Sequence, residues 1–228
     1  YEITYGDWSS DVCSSDLVHT DDMIFKRLKE TGVVYAAASE EIPKMNVLNP
    51  EGEYIVTFDP LDGSSVIDAN FAVGSIFAIW KRKPGVGEEE HMLGFTGKDV
   101  IGAALACYGS RTTMIVYNAI HNRVDEVGLH RRPDKDPKDP AYWQWLDQRK
   151  DIKIKPKTNT FSPGNIKAAG INPGYAKCMD HWVKNGYTLR YSGCMAADCF
   201  HIFVKGEGIF SSVSAPPKVT PKLRVLYE

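Results

Sequence analysis

The stretch Tyr54-Ile55-Val56-Thr57-Phe58-Asp59-Pro60-Leu61-Asp62-Gly63-Ser64-Ser65 joins an apolar, β-branched run to a turn holding two carboxylates three positions apart. The run from Tyr54 to Phe58 predicts a strand, and the proline and glycine after it predict a tight turn. Asp59 at the strand end and Asp62 beyond the proline can converge on one cation. The Leu61 carbonyl lies between them and offers a third oxygen. Hard ions such as Mg²⁺ take oxygen ligands in near-octahedral array, with water and phosphate completing the shell. Gly63-Ser64-Ser65 then offers backbone N–H groups and hydroxyls to a phosphate without bulky side chains in its way. Taken alone, the string is also an ordinary β-turn composition. An EF-hand is excluded, because no alternating Asp or Asn precedes the glycine and no Glu closes a loop. An aspartyl-phosphate mechanism finds no other support along the chain.

Upstream, the apolar run Val33 to Ala38 predicts a strand ending at Ser39-Glu40-Glu41. Two adjacent carboxylates are a solvated surface in most proteins. In a partly buried site their repulsion is tolerated when metal or protons offset it. Two metals about 3.5–4 Å apart can activate a water and stabilise a leaving oxygen. Before that strand a helix is expected from Asp21 to Thr31, capped by Asp21 or Asp22, with Ile24 and Leu28 one turn apart and Gly32 as its stop.

Downstream, Ala72 to Trp80 predicts a strand buried on both faces, and Gly85 to His91 a charged surface loop. Asp99 to Cys107 predicts a small-residue helix and Thr112 to Ile120 another strand. From Asn122 to Lys157 the composition turns polar. Arg131 to Pro137 is expected as a loop anchored by Trp143 and Trp145, with a soft subdomain boundary nearby. Pro173 to Asn185 predicts a helix with Gly186 just past its end. His201 to Val204 and Ile209 to Val213 predict a hairpin across Gly206-Glu207-Gly208. Strands and helices mix throughout, which places the chain in the α/β or α+β class.

The 228 residues suffice for one domain or two small ones. A formal charge of −2 without a long basic run argues against a nucleic-acid groove or an anionic membrane surface. Apolar runs such as Phe71 to Trp80 are too short to span a bilayer, and no signal peptide is visible. The five cysteines, Cys13, Cys107, Cys178, Cys194 and Cys199, form no metal-binding spacing, and an odd count fits a reducing compartment. Cys194 and Cys199 are close enough to raise a redox pair, but two small buried residues is the favoured expectation. Residues 1–17 (YEITYGDWSSDVCSSDL) sustain neither helical nor strand periodicity and resemble translated adapter sequence, so they are set apart as a non-native scar.

The motifs, taken in order, resemble the class I fructose-1,6-bisphosphatase superfamily. Phe58 to Ser65 is similar to its signature. Ala38-Ser39-Glu40-Glu41-Ile42-Pro43, Val73-Gly74-Ser75-Ile76-Phe77 and Tyr108-Gly109-Ser110-Arg111-Thr112-Thr113 follow the family's order. So do Phe161-Ser162-Pro163-Gly164-Asn165, Tyr187 to Gly193 and the closing Pro221 to Glu228. The resemblance runs from about Asp21 to the last residue. The Ser-Pro-Gly-Asn and Tyr-Thr-Leu-Arg-Tyr strings favour the sedoheptulose-1,7-bisphosphatase branch.

The resemblance implies a layered αβαβα sandwich, incomplete at both ends. Residues 18–120 would form a metal- and phosphate-binding subdomain, 121–160 a variable loop region, and 161–228 the start of a sugar-binding subdomain. It implies Mg²⁺, two or more ions per site with Mn²⁺ as a substitute, on Glu40, Glu41, Asp59, Asp62, Glu228 and the Leu61 carbonyl. Asp21, with Asp22 as its rival, would join Glu41 in deprotonating the attacking water. Gly63, Ser64 and Ser65 would cradle the scissile phosphate. Arg190, Tyr191 and Lys222 would hold the sugar and its distal phosphate, with Asn165 and Met195 beside them. In the family that arginine crosses from a neighbouring subunit, which implies a homo-oligomer, a dimer or tetramer. Ser212 stands where the fructose enzymes carry a tyrosine. The implied reaction is hydrolysis of the 1-phosphate of a ketose bisphosphate, sedoheptulose-1,7-bisphosphate and also fructose-1,6-bisphosphate, in the cytoplasm or plastid stroma. A fructose-1,6-bisphosphatase proper and a non-catalytic sugar-phosphate-binding relative are the alternatives. Inositol-phosphate phosphatases share the acidic turn but not the Arg190-Tyr191 and Lys222 elements.

Overall fold

A computed structural model describes residues 10–87 and 90–219, with side chains from residue 17 onward. Among these residues the chain forms α1 (Ser10–Glu30), β1 (Val34–Ser39), β2 (Asn46–Val47), β3 (Tyr54–Asp62), β4 (Val73–Lys81), β5 (Val100–Tyr108), β6 (Thr112–Asn118), β7 (Arg123–Arg131) and β8 (Trp143–Arg149). The second half adds β9 (Thr160–Pro163), α2 (Pro173–Lys184), β10 (Thr188–Leu189), α3 (Met195–Lys205) and β11 (Ile209–Ser211). The first eight strands make one sheet in the order β2-β1-β3-β4-β5-β6-β7-β8, and the last three a second sheet in the order β10-β9-β11. In the large sheet only β1 and β3 run parallel, with Ser39 opposite Phe58; its other neighbouring pairs are antiparallel. No helix among the described residues is long and apolar enough to cross a membrane.

The layers follow from which strand residues face which helix. Phe58 and Phe77 are register partners, and with Val34, Ala37 and Val56 they pack against Ile24, Phe25 and Leu28 of α1. The alternate residue Ile76 packs with Cys194, Ala196 and Met195 at the start of α3, on the opposite face. Beyond α3, the small sheet and α2 enclose a separate core of Phe161, Ala168, Tyr175, Trp182 and Ala215. The sequence of layers is therefore helix, sheet, helix, sheet, helix, the expected αβαβα sandwich.

Four sequence expectations change. Helix α1 begins at Ser10, not Asp21, so Asp21 lies inside it instead of capping it. The segment expected as a small-residue helix is the strand β5. Its small residues serve close packing rather than helix propensity. A Cβ on Gly74 would lie 2.3 Å from the Ala106 carbonyl oxygen and 2.5 Å from the Ala196 Cβ, so α3 can approach β4 and β5 only over Gly and Ala. The polar stretch after Asn122 supplies β7 and β8. Trp143 and Trp145 lie exposed on the edge strand, where Trp143 meets the neighbouring Tyr142 ring edge-on, and neither is a buried anchor. The expected hairpin near Gly206 is instead the end of α3. Apolar residues recur there at helical spacing, and Gly206, in the left-handed region at φ 66°, donates its N–H to the Ile202 and Phe203 carbonyls. Helix α2 matches expectation, with Asn172 as its N-cap and Gly186 at φ 69° beyond its end.

Candidate active site

The parallel pairing of β1 and β3 is what assembles the acidic edge. Parallel neighbours end on the same side of a sheet, so the carboxylates following β1 and those closing β3 arrive together. The Glu40 N–H donates to the Phe58 carbonyl at 3.0 Å, which puts Glu40 beside Asp59. The turn after β1 is closed by Ser39, whose N–H donates to the Ile42 carbonyl and whose Oγ accepts from the Ile42 N–H at 2.9 Å. Glu40 is half-buried and Glu41 exposed.

Asp21 reaches this edge from α1 and is buried. Burial raises its carboxyl above the usual range, Asp22 and Glu41 add to that, and a hydrogen bond with Ser39 opposes it. Its Oδ1 has no hydrogen-bond partner among the described residues.

The acidic turn is part of β3, whose pairing with β4 shifts register between Asp59 and Asp62. Asp59 is buried, and its Oδ1 accepts the Leu61 N–H at 2.9 Å, folding the turn over its own carboxylate. The Ser75 Oγ bonds the Pro60 carbonyl at 2.8 Å and the Tyr108 hydroxyl at 2.9 Å, fixing the turn from below. Asp62 is held from α3. Its Oδ2 accepts from the Ala196 N–H at 2.6 Å and from the Cys194 thiol at 3.2 Å. Gly63, at φ 86°, is a backbone position that disfavours any side chain, and it caps a short 3₁₀ turn, Ser64–Val66.

Across from the turn, a small cleft of about 80 Å³ is lined by Asp62, Asn165, Tyr191, Met195 and Ser212, with Gly164, Gly193 and Phe210. Asn165 is anchored by donating to the Val213 carbonyl at 3.0 Å, and the Tyr191 hydroxyl donates to the Gly164 carbonyl at 3.0 Å. The Tyr191 hydroxyl is pushed up by burial and by Asp198 and Asp62. Asp198, on α3, accepts the Ser192 N–H at 2.9 Å and so ties the segment after Tyr191 to the helix. Arg190 is exposed, bonds the Leu189 carbonyl, and does not line this cleft. A roomier recess of about 430 Å³ between Trp80, Phe95, Val100 and Phe203 is apolar and lies away from these carboxylates.

Of the residues expected from sequence, Asp21, Glu40, Glu41, Asp59 and Asp62 share one edge, and Asn165, Tyr191 and Met195 meet Asp62 in the cleft. Lys222 and Glu228 lie outside the described residues. Among the described residues no three His, Cys, Asp or Glu side chains converge closely enough to hold a metal ion by themselves. The donor set nonetheless suits a hard cation, being entirely oxygen, with a buried and unpartnered Asp21 Oδ1 beside further carboxylates. Sequence reasoning missed the groups that hold these residues in place, namely Cys194, Ser75, Tyr108 and Asp198. Cys194 is free and buried as expected, and Cys199 is free and half-buried.

Residues 9–130 match the family model described as the N-terminal domain of fructose-1-6-bisphosphatase, and residues 154–228 match that of its C-terminal domain. A chloroplastic sedoheptulose-1,7-bisphosphatase of Triticum aestivum is 40% identical over 91% of this chain and 49% of its own length. A class 1 fructose-1,6-bisphosphatase of Campylobacter curvus is 30% identical over 92% of this chain and 63% of its own length. The chain thus spans about half the length of the sedoheptulose-bisphosphatase relative. The crystal structure of Leishmania major fructose-1,6-bisphosphatase in apo form superposes with a TM-score of 0.80 at 28% identity, covering 94% of this chain and 69% of that one. With both domain models matched in order, and the acidic edge and cleft falling within them, the chain belongs to the fructose-1,6-bisphosphatase family.

Proposed function

We propose that this chain is the metal- and substrate-binding part of a sugar bisphosphatase that hydrolyses the 1-phosphate of a ketose bisphosphate, with sedoheptulose-1,7-bisphosphate preferred and fructose-1,6-bisphosphate accepted. The observation that carries the proposal is the acidic edge made by parallel β1 and β3, facing a cleft where Asp62 meets Asn165 and Tyr191. The 40% identity to the wheat sedoheptulose-1,7-bisphosphatase supports the substrate preference. So does Ser212 in the cleft wall, a side chain that leaves more room than a tyrosine for a longer sugar.

In this proposal Glu40, Glu41, Asp59, Asp62, the Leu61 carbonyl and Glu228 hold divalent cations, two or more Mg²⁺ with Mn²⁺ as a substitute. When bound, the cations supply positive charge to the phosphate oxygens and the leaving oxygen. Asp21, with Glu41 beside it, takes the proton from the attacking water. A carboxylate raised above its usual range is the better acceptor at neutral pH. The water's electron pair attacks phosphorus in line and the sugar oxygen departs with the bonding pair. Gly63, Ser64 and Ser65 cradle the reacting phosphate. Tyr191, Asn165 and Met195 shape the sugar site. Lys222 and Arg190 hold the distal phosphate, which positions the reacting one. Because Arg190 is exposed and does not line its own cleft, we assign it to the cleft of a second copy, in a dimer or tetramer. A soluble compartment, cytoplasm or plastid stroma, fits such a substrate.

The test is phosphate release by the purified protein from the two bisphosphates, with and without Mg²⁺, beside Asp62→Asn. Release that needs Mg²⁺, is faster with the seven-carbon substrate and falls by at least about a hundredfold in the variant is expected. A folded protein that binds either sugar bisphosphate without releasing phosphate would establish the non-catalytic reading instead.

A further inference from the structure

The Asp62 carboxylate is held from outside its own turn, by the start of α3, and the side chain that holds it was not expected. Cys194 is fully buried at the N-cap of the eleven-residue helix α3. Its Sγ accepts the Ala197 N–H at 3.4 Å and lies 3.2 Å from Asp62 Oδ2 and 3.4 Å from the Asp62 carbonyl oxygen. Both oxygens can only accept, so the thiol proton points to Asp62. The second donor on Oδ2, the Ala196 N–H at 2.6 Å, comes from the same helix turn, where the dipole also favours a negative charge. The cysteine itself cannot drift. Its N–H donates to the Ser192 Oγ at 3.2 Å, its carbonyl accepts the Asp198 N–H at 3.0 Å, and Gly63 packs so closely that a Cβ there would sit 2.7 Å from the Cys194 Cβ.

We propose that Cys194 is a positioning residue for Asp62. Thiol and Ala196 N–H together lock Oδ2 against α3, which leaves Oδ1 as the oxygen presented to a divalent cation and fixes the carboxylate's rotation before the ion arrives. A small apolar side chain would remove the thiol donor and leave Oδ2 with the Ala196 N–H. The inference rests on the reading of Asp62 as a metal ligand.

The test compares Cys194→Ala and Cys194→Ser with the parent chain, using Mn²⁺ alone as the probe. Free Mn²⁺ is counted by electron paramagnetic resonance, and melting is followed in metal-free buffer. Losing a hydrogen bond that orients a metal ligand weakens metal binding by about 10–100-fold. The thiol is a weak donor and the Ala196 N–H remains, so about tenfold is expected for Cys194→Ala. Cys194→Ser, whose hydroxyl can donate to the same oxygen, keeps the parent affinity although both variants lose packing and melt lower. Equal Mn²⁺ affinity in the parent and Cys194→Ala would overturn the positioning role. So would an equal loss in both variants, which would make bulk, not the donated proton, the cause. A parent protein that binds Mn²⁺ but releases no phosphate would remove the phosphatase reading and leave this comparison intact.

Discussion

Replacing Gly63 by alanine tests the joint between the acidic turn and α3. Two costs are readable in the structure. Gly63 has φ 86°, a left-handed conformation that costs a side-chain-bearing residue about 1–2 kcal/mol. The new Cβ would also lie 2.7 Å from the Cys194 Cβ and 3.1 Å from its Sγ, about 1 Å inside the usual carbon–carbon separation. Neither neighbour is the loose end of a flexible side chain, so α3 or the turn must shift, and overpacking of this kind costs about 1–3 kcal/mol. The sum is about 2–5 kcal/mol. Gly32 provides the control, because its φ is 71° and nothing lies within 4 Å of an added Cβ. Gly32→Ala should therefore show the backbone cost alone, about 1–2 kcal/mol. Urea unfolding of both variants measures the difference, and for a chain of this size each kcal/mol also lowers the melting temperature by about 2–4 °C. Equal losses in the two variants would refute the claim that turn and helix are in contact. A second expectation is specific to the joint: Gly63→Ala should weaken Mn²⁺ binding and Gly32→Ala should not, since only the former pushes Cys194 away from Asp62.

Two further outcomes follow from buried charges. Asp21→Asn should abolish phosphate release yet stabilise the metal-free protein at neutral pH. A carboxyl whose folded value is raised binds its proton more tightly when folded, so the parent loses stability as pH rises from the unfolded value near about 3.9 through the folded one. The advantage of the amide should vanish below about pH 4, and urea midpoints measured from pH 3.5 to 8 check it; a constant difference across that range would contradict the burial argument. Glu126 is fully buried between Arg111, at 3.6 Å, and Arg149, both about half exposed. Arg149→Ala strands much of a buried charge and should cost about 3 kcal/mol, whereas Glu126→Gln frees two arginines that can rehydrate and should cost less; the reverse order in urea unfolding would contradict the assignment.

The strands that build the acidic edge were legible because each is a compact apolar run ended by carboxylates or by the Pro-Gly turn. What failed did so where packing overrode local preference or where the window read was too short. Val100 to Tyr108 contains alanines that favour a helix, but β4 and β6 pair with it on either side and α3 presses on it through Ala196 and Gly74. His201 to Val204 is a four-residue run with β-branched and aromatic side chains, too short a window to show the helical spacing that runs back to Met195. Trp143 and Trp145 looked like anchors by composition, yet an edge strand leaves both in solvent. The strand β5 is decided by neighbours distant in sequence, whereas the end of α3 needed only a longer local window.

The same distinction separates ligands from the groups that aim them. Carboxylates announce themselves, since two or three close together carry a cost that only a cation or a proton offsets. The groups that aim them are a thiol, two hydroxyls and a backbone N–H, residue types that occur everywhere and signal nothing in one dimension. Their role appears only once Asp62 is seen to depend on Ala196 and Cys194, more than 130 positions away in the chain. One parallel pair in an otherwise antiparallel sheet brings the charges to a single edge, and α3, seated on the opposite face from α1, turns Asp62 toward the cleft. Changes that loosen α3 on the sheet, such as a side chain at Gly74, should therefore reach the site by the same route as changes at Gly63, without touching a carboxylate.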